Sequence, residues 1–458
     1  MPSLPACDAL VLFGVTGDLA SKMILPALAR LAERGVAPPV VGVAHSPREP
    51  AAIIGASRER VGHGDPTLAA QMDRLVPRLS IVAGDLDDPQ TYARLAGALA
   101  TFRQPLFYLA VPPQLFAAAI TGLAAAGLAR TGRLAVEKPF GHDLESARAL
   151  ERTIAAAFAE DAVYRIDHYL GKDPLRNLAD MRAHTSWLEP LWSHAHVTSV
   201  QVTMAEAFGI GTRGAFYEAV GALRDVFQNH LLQVCALIAM EPVAPADAEA
   251  FTAARVDALR AIAPMAPGDV VYGQYETYRS EPGVAAQSGV ATYLAARLSI
   301  DAPRFAGVPF YVRAGKRLPL TTTLVTLSLS PTRLLHHDCP DDACEELRFR
   351  LGPGEVSIEL GTRRLALGSA HAHAPLTLQA ALPRDEDRDA YVNLLGAALA
   401  GDRSMSERAT GVTAAWRVVE GVLRAPIGVH RYADGSWGPP EADRLLRPGE
   451  RWIDPAPP

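Results

Sequence analysis

Residues 1–165 alternate short apolar runs with alanine-rich helical stretches, a pattern that few architectures accept. Ala9-Leu10-Val11-Leu12-Phe13, Val40-Val41-Gly42-Val43, Ser80-Ile81-Val82-Ala83, Leu106-Phe107-Tyr108-Leu109 and Arg133-Leu134-Ala135-Val136 read as buried strands. A helical pattern from about Asp18 to Arg34, stopped by Gly35, separates the first two. Strands joined through helices pair in parallel, so the α/β pattern predicts an N-terminal Rossmann-like, doubly wound parallel sheet. After residue 165 the pattern changes. Val197 to Glu206 alternates, Val220 to Met240 reads as one long helix, and from Val290 to Leu367 strand patterns follow with little helix between them. The expectation is a dinucleotide-binding domain, 1–165, plus a C-terminal α+β domain, 166–458, with a large, mostly antiparallel sheet. The proline-rich tail from Pro439 is expected to wrap that domain or end loosely.

Composition excludes several classes. A net charge of -6 supplies no footprint for nucleic acid, and no Lys/Arg run points to a membrane surface. No apolar stretch is long enough to span a bilayer, and the N-terminus has no basic start with an apolar run behind it. The four cysteines are scattered: Cys7 and Cys235 stand in apolar surroundings, and Cys339 and Cys344 in an acidic loop without zinc spacing. A reduced, cytoplasmic protein without a metal is expected.

Four stretches carry chemistry. Gly14-Val15-Thr16-Gly17-Asp18-Leu19 lies at the first strand–turn–helix junction, where backbone can approach a pyrophosphate and a helix start favours the anion. At the end of the second strand an acid would read the ribose of NAD, and an arginine the 2′-phosphate of NADP. This chain has His45, Ser46 and Arg48 there, and the residues leave the choice open. Glu137-Lys138-Pro139 stands at the carboxyl end of a strand, the edge where open parallel sheets bind ligands.

Arg165-Ile166-Asp167-His168-Tyr169-Leu170-Gly171-Lys172 is the densest cluster. If Tyr169 onward is helical, His168 and Lys172 share a face with Tyr169, and their N–H and O–H groups make a pocket for a dianion. Asp167 beside them suits orienting a base. In the long helix, Asp225, Gln228 and Asn229 fall on a polar face, and His230 on an apolar stripe. A lone histidine there is more often a satisfied core residue than a catalyst, unless an acid such as Asp167 reaches it.

Taken together these stretches resemble the glucose-6-phosphate dehydrogenase family. The match continues through Gly214 to Tyr217, Arg224 to Gln233, Ala239 to Pro242, Val308 to Leu318 and Gly435 to Pro439, nearly the whole chain. The resemblance implies oxidation of D-glucose 6-phosphate at C1 to 6-phosphogluconolactone, the first step of the oxidative pentose phosphate pathway. It implies His230 as general base, Asp167 as its orienting acid and Lys138 at the catalytic centre. His168, Tyr169 and Lys172 would hold the 6-phosphate, and Lys138, Glu206, Asp225 and Lys316 the sugar hydroxyls. Gly14, Thr16, Gly17, Asp18, Leu19, His45, Ser46 and Lys138 would bind the cofactor. That cofactor would be NADP, and assembly a homodimer or homotetramer through the C-terminal sheet.

The chain departs from the family at four places. Met23 and His45 replace residues that are usually basic, which opens NAD or dual use. Thr321 lies where a cation is frequent, and Gly352 where glutamine is common. A dehydrogenase for another hexose phosphate or a neutral sugar is the nearest rival, and the His168–Lys172 cluster argues against a neutral substrate. A silent sugar-phosphate-binding paralogue would have eroded the catalytic residues, and Asp167, His230, Lys138 and Lys172 are intact.

Overall fold

The computed structural model describes residues 6–61, 66–244, 246–330, 345–352, 356–365, 373–381 and 390–456. The chain forms two compact units. One comprises Met1–Asp173, Pro245–Thr252 and Glu386–Thr413; the other Pro174–Ala244, Ala253–Asp385 and Ala414–Pro458. The expected boundary at 165/166 falls inside the first unit. Cys7 and Cys235 are buried free thiols, and Cys339 and Cys344 lie outside the described residues.

The first unit is built on six parallel strands: β1 (Ala9–Phe13), β2 (Val40–Ala44), β3 (Leu79–Ala83), β4 (Pro105–Leu109), β5 (Arg133–Glu137) and β6 (Val163–Ile166). They lie in the order β6-β5-β4-β1-β2-β3, and the short strand Ser406–Glu407 pairs antiparallel with β6. This is the doubly wound order of dinucleotide-binding sheets, with a crevice where the order reverses beside β1. β1 shows why the sheet is covered on both faces. Leu10 and Leu12 enter one apolar cluster, and Ala9, Val11 and Phe13 enter the other. The first helical stretch begins with a π turn, Ala20–Ile24, and continues as α1 (Leu25–Glu33). Gly35, at φ +72°, ends it, and the Val36 N–H donates back to Leu31 O at 3.0 Å. The helix Ala390–Ala400 contributes Leu394 and Leu395 to the α1 cluster.

The second unit carries a nine-stranded sheet: β7 (Val197–Glu206), β8 (Val270–Tyr275), β9 (Tyr293–Leu298), β10 (Phe310–Lys316), β11 (Thr322–Leu329), β12 (Glu346–Leu351), β13 (Val356–Leu365), β14 (His373–Ala381) and the strand Val429–Tyr432. Two pairings are parallel, β7 with β10 and β8 with Val429–Tyr432; the others are antiparallel.

Two expectations are corrected here. Val220 to Met240 is three segments instead of one helix. Gly214–Ala222 kinks at Gly221 (φ 62°), a π-helix runs Leu223–Leu231, and an α-helix runs Leu232–Ala239. The Asn229 side chain donates to Arg224 O and Asp225 O, both at 3.2 Å, inside the widened turn. The residues Asp167–Lys172 form turns, and helix starts only at Asp173. The tail wraps the second unit: Arg313 lies over the Trp437 and Trp452 rings and pairs with Asp454 at 2.7 Å.

Candidate functional site

In the first unit every expected residue follows the carboxyl end of a parallel strand. After β1, the Gly14 and Val15 N–H groups donate to Val43 O, at 3.0 and 3.4 Å, and the Gly17 N–H donates to Gly14 O at 2.8 Å. Gly14 sits at φ +77°, and a Cβ there would come within 2.5 Å of Ala110 O. The turn thus needs glycine, and it leaves backbone able to approach a pyrophosphate at the following helix start. Thr16 and Asp18 are exposed, and Asp18 pairs with Lys22 at 3.0 Å. That pair, with Arg60 near, holds the Asp18 carboxyl below its ordinary range. Leu19 packs its side chain on the core and offers a ligand only backbone. His45 and Ser46 are exposed after β2, with Asp85 3.8 Å from His45.

β5 delivers Lys138, half-buried, and before it Glu137, buried. The Tyr108 hydroxyl donates to Glu137 Oε1 at 2.6 Å. Burial pushes the Glu137 carboxyl up to about 7, and the Asp167 charge adds to this; Tyr108, Lys138 and Tyr391 act against it. Sequence reasoning gave Glu137 no role. Its signal was an acid closing an apolar strand.

β6 delivers the turn Asp167–Lys172. Asp167 is buried, and its Oδ1 accepts from the Tyr169 N–H at 3.0 Å. His168 Nδ1 lies 3.9 Å from that oxygen, and the His168 ring is parallel to Tyr391, 6.5 Å between centroids. The Lys172 ammonium sits over the Tyr169 ring at 4.0 Å. Asn393 donates to Gly171 O at 3.1 Å, tying the turn to the helix Ala390–Ala400. The tight turn brings His168, Tyr169 and Lys172 together without a helical face.

In the second unit Glu206 and Lys316 end β7 and β10 as register partners. The Lys316 ammonium donates to Glu206 Oε2 and lies 3.7 Å from Asp225 Oδ2. Phe208 and Tyr217 rings flank the ammonium. Burial, with Asp225 near, drives the Tyr217 phenol well above its ordinary range, so it stays protonated. One cation between two carboxylates offers donors and acceptors of the kind sugar hydroxyls need. Asp225 and His230 both stand on the π segment. His230 is buried, and its backbone N–H donates to Asn229 Oδ1 at 2.6 Å. Thr321 Oγ1 accepts from the Ala207 N–H at 2.9 Å, so it serves the backbone next to Glu206.

Both parts of the chain match models of known proteins. Residues 11–177 match the family model "Glucose-6-phosphate dehydrogenase, NAD binding domain", and 179–453 match "Glucose-6-phosphate dehydrogenase, C-terminal domain". Glucose-6-phosphate 1-dehydrogenase 1 of Mycobacterium tuberculosis is 40% identical over 98% of this chain and 97% of its own. Glucose-6-phosphate 1-dehydrogenase of Aggregatibacter actinomycetemcomitans is 34% identical over the same shares, 98% and 97%. The crystal structure of the Mycobacterium avium enzyme superposes with a TM-score of 0.91 at 39% identity, over 99% of this chain and 100% of that one. A glucose-6-phosphate dehydrogenase solved with its substrate glucose 6-phosphate superposes with a TM-score of 0.88 at 29% identity, over 99% and 100%. By sequence over both units and by fold, the chain belongs to the glucose-6-phosphate dehydrogenase family.

Proposed function

We propose that this chain oxidises D-glucose 6-phosphate at C1 to 6-phosphogluconolactone, the entry reaction of the oxidative pentose phosphate pathway. The observation that supports it most is the turn after β6, where a buried Asp167 stands beside His168, Tyr169 and Lys172. His168, Tyr169 and Lys172 bind the 6-phosphate through charge-assisted donors. Glu206, Asp225 and Lys316 hold sugar hydroxyls, with Lys138. His230 takes the C1 hydroxyl proton, and Asp167 orients its ring and stabilises the imidazolium. The backbone from Gly14 to Leu19, with Thr16, Asp18, His45, Ser46 and Lys138, holds a nicotinamide dinucleotide. Gly14, where a Cβ would strike Ala110 O, fits that ligand. The dinucleotide, when bound, supplies the hydride acceptor.

NADP is the proposed cofactor, with NAD use opened by Met23 and His45. We place the protein in a reducing cytoplasm, which suits the free thiols Cys7 and Cys235. It assembles as a homodimer or homotetramer through the nine-stranded sheet, where Leu378 on β14 is exposed. Light scattering tests the assembly. The reaction is tested by initial rates of nicotinamide reduction with NADP and with NAD, on glucose 6-phosphate against glucose. Turnover of the phosphate alone supports the proposal. Equal turnover of glucose, or none of either, removes it.

A further inference from the structure

A 2′-phosphate on the adenosine ribose of the cofactor has to be met by a cation near the end of β2. Met23 offers nothing: its side chain packs against the apolar cluster that covers α1. His45 is exposed, and the charged group beside it is a carboxylate, Asp85. Lys22 reaches back to Asp18. Arg48 is exposed on the loop after Ser46, and no side-chain bond fixes it among the described residues.

A different cation reaches the turn from the helix after β2. This helix, α2 (Pro50–Val61), lies against the π turn Ala20–Ile24. The buried Ser57 hydroxyl donates to Ser21 O and pins it there. One helical turn on, Arg60 Nη1 donates to Ser21 Oγ at 2.8 Å and to Thr16 O at 3.4 Å. Ser21 is buried, and its own hydroxyl donates to Gly17 O at 2.7 Å, so the guanidinium hangs from the fixed frame of the glycine turn. Asp18 Oδ1 lies 3.6 Å away, an exposed pairing of the kind that contributes little and yields to a better anion.

The location matters as much as the charge. Gly14 and Val15 are hydrogen-bonded to Val43 of β2, so Thr16, and Arg60 over it, lie on the β2 side of the turn. In this strand order the ribose is read at the end of β2, and the pyrophosphate at the helix start. The Arg60 side chain is 40% exposed and carries a planar fork of donors that matches a phosphate.

We propose that Arg60 is the specificity-determining cation that contacts the 2′-phosphate on the adenosine ribose of NADP. The proposal rests on the dinucleotide reading above.

The test is calorimetric binding of adenosine 2′,5′-bisphosphate and of AMP to the full chain, to Arg60→Ala and to Arg60→Lys. These ligands differ by the one phosphate, and binding needs no catalysis. Wild type should prefer the bisphosphate, and Arg60→Ala should lose roughly ten-fold or more of that preference with AMP affinity unchanged. Arg60→Lys should retain part of it. In kinetics, Arg60→Ala should raise KM for NADP but not for NAD, with kcat little changed. Equal affinity of wild type for the two nucleotides would overturn the assignment. So would an Arg60→Ala variant that binds the bisphosphate like wild type, or one that loses both ligands equally. Wild-type protein that binds neither nucleotide would overturn the dinucleotide reading and this assignment with it.

Discussion

Tyr108 and Glu137 stand near the carboxyl ends of neighbouring strands, β4 and β5, and share a 2.6 Å hydrogen bond in the buried centre of the first unit. The phenol is driven well above its ordinary range by burial, so it remains the donor. Glu137, pushed up by burial to about 7 from an ordinary 4.5, keeps a proton that the unfolded chain has already lost. Between those values the folded state binds more protons than the unfolded one, so stability falls as pH rises. The contribution is complete below about pH 4.5 and gone above about pH 7. At roughly 1.4 kcal/mol per pH unit, this amounts to about 3 kcal/mol. Glu137→Gln keeps an acceptor for Tyr108 and never ionises. Urea melts should find it level with wild type at pH 4.5 and more stable at pH 8. A variant that keeps the wild-type slope would show that Glu137 titrates normally.

Replacing His230 by Asn should lower kcat on the order of 10²- to 10⁴-fold, with little change in KM for glucose 6-phosphate. Asp167→Asn should act in the same direction. Steady-state kinetics decide it: near-normal kcat in His230→Asn removes the base assignment.

Lys172 sits over Tyr169 at 4.0 Å and presents its charge from a turn. Lys172→Ala should raise KM for glucose 6-phosphate roughly ten- to hundred-fold. Inhibition by inorganic phosphate should weaken in parallel. Unchanged KM would place the 6-phosphate elsewhere.

Lys316 is almost wholly buried against Glu206 and Asp225, which are themselves partly exposed. Lys316→Met leaves two carboxylates facing one another without their cation. Discounted for that exposure, the loss of stability should be about 1–3 kcal/mol. Adding Glu206→Gln should restore part of it in urea melts. Full stability in the single variant would show the carboxylates are independently solvated.

The strands were legible because they are short, apolar and punctuated. The five strand runs from Ala9 to Val136 coincide with β1 to β5 within a residue at either end. Gly35 was legible as a stop because only its αL conformation releases the helix. The π segment was not, since a 3.6-residue period assumes i→i+4 bonding, and Leu223–Leu231 widens it. The conditional helix from Tyr169 onward gives way to a turn for a similar reason. Residues spaced to share a helix face are also near one another in consecutive tight turns. Arg60 was invisible, because 44 residues separate it from the Thr16 carbonyl it touches. Such a contact belongs to packing and leaves no local pattern.

The first unit is assembled from chain that is made far apart in time. The Arg165 N–H donates to Ser406 Oγ across 241 residues, and the Cys7 N–H donates to Leu399 O. A ribosome that has released residues 1–173 has delivered six parallel strands, yet the outer edge of β6 is still bare and α1 lacks the helix Ala390–Ala400. An open edge of that kind invites pairing with a neighbouring chain. The nascent protein must carry it through synthesis of most of the second unit, so chaperone demand during translation should end only when residues 386–413 emerge.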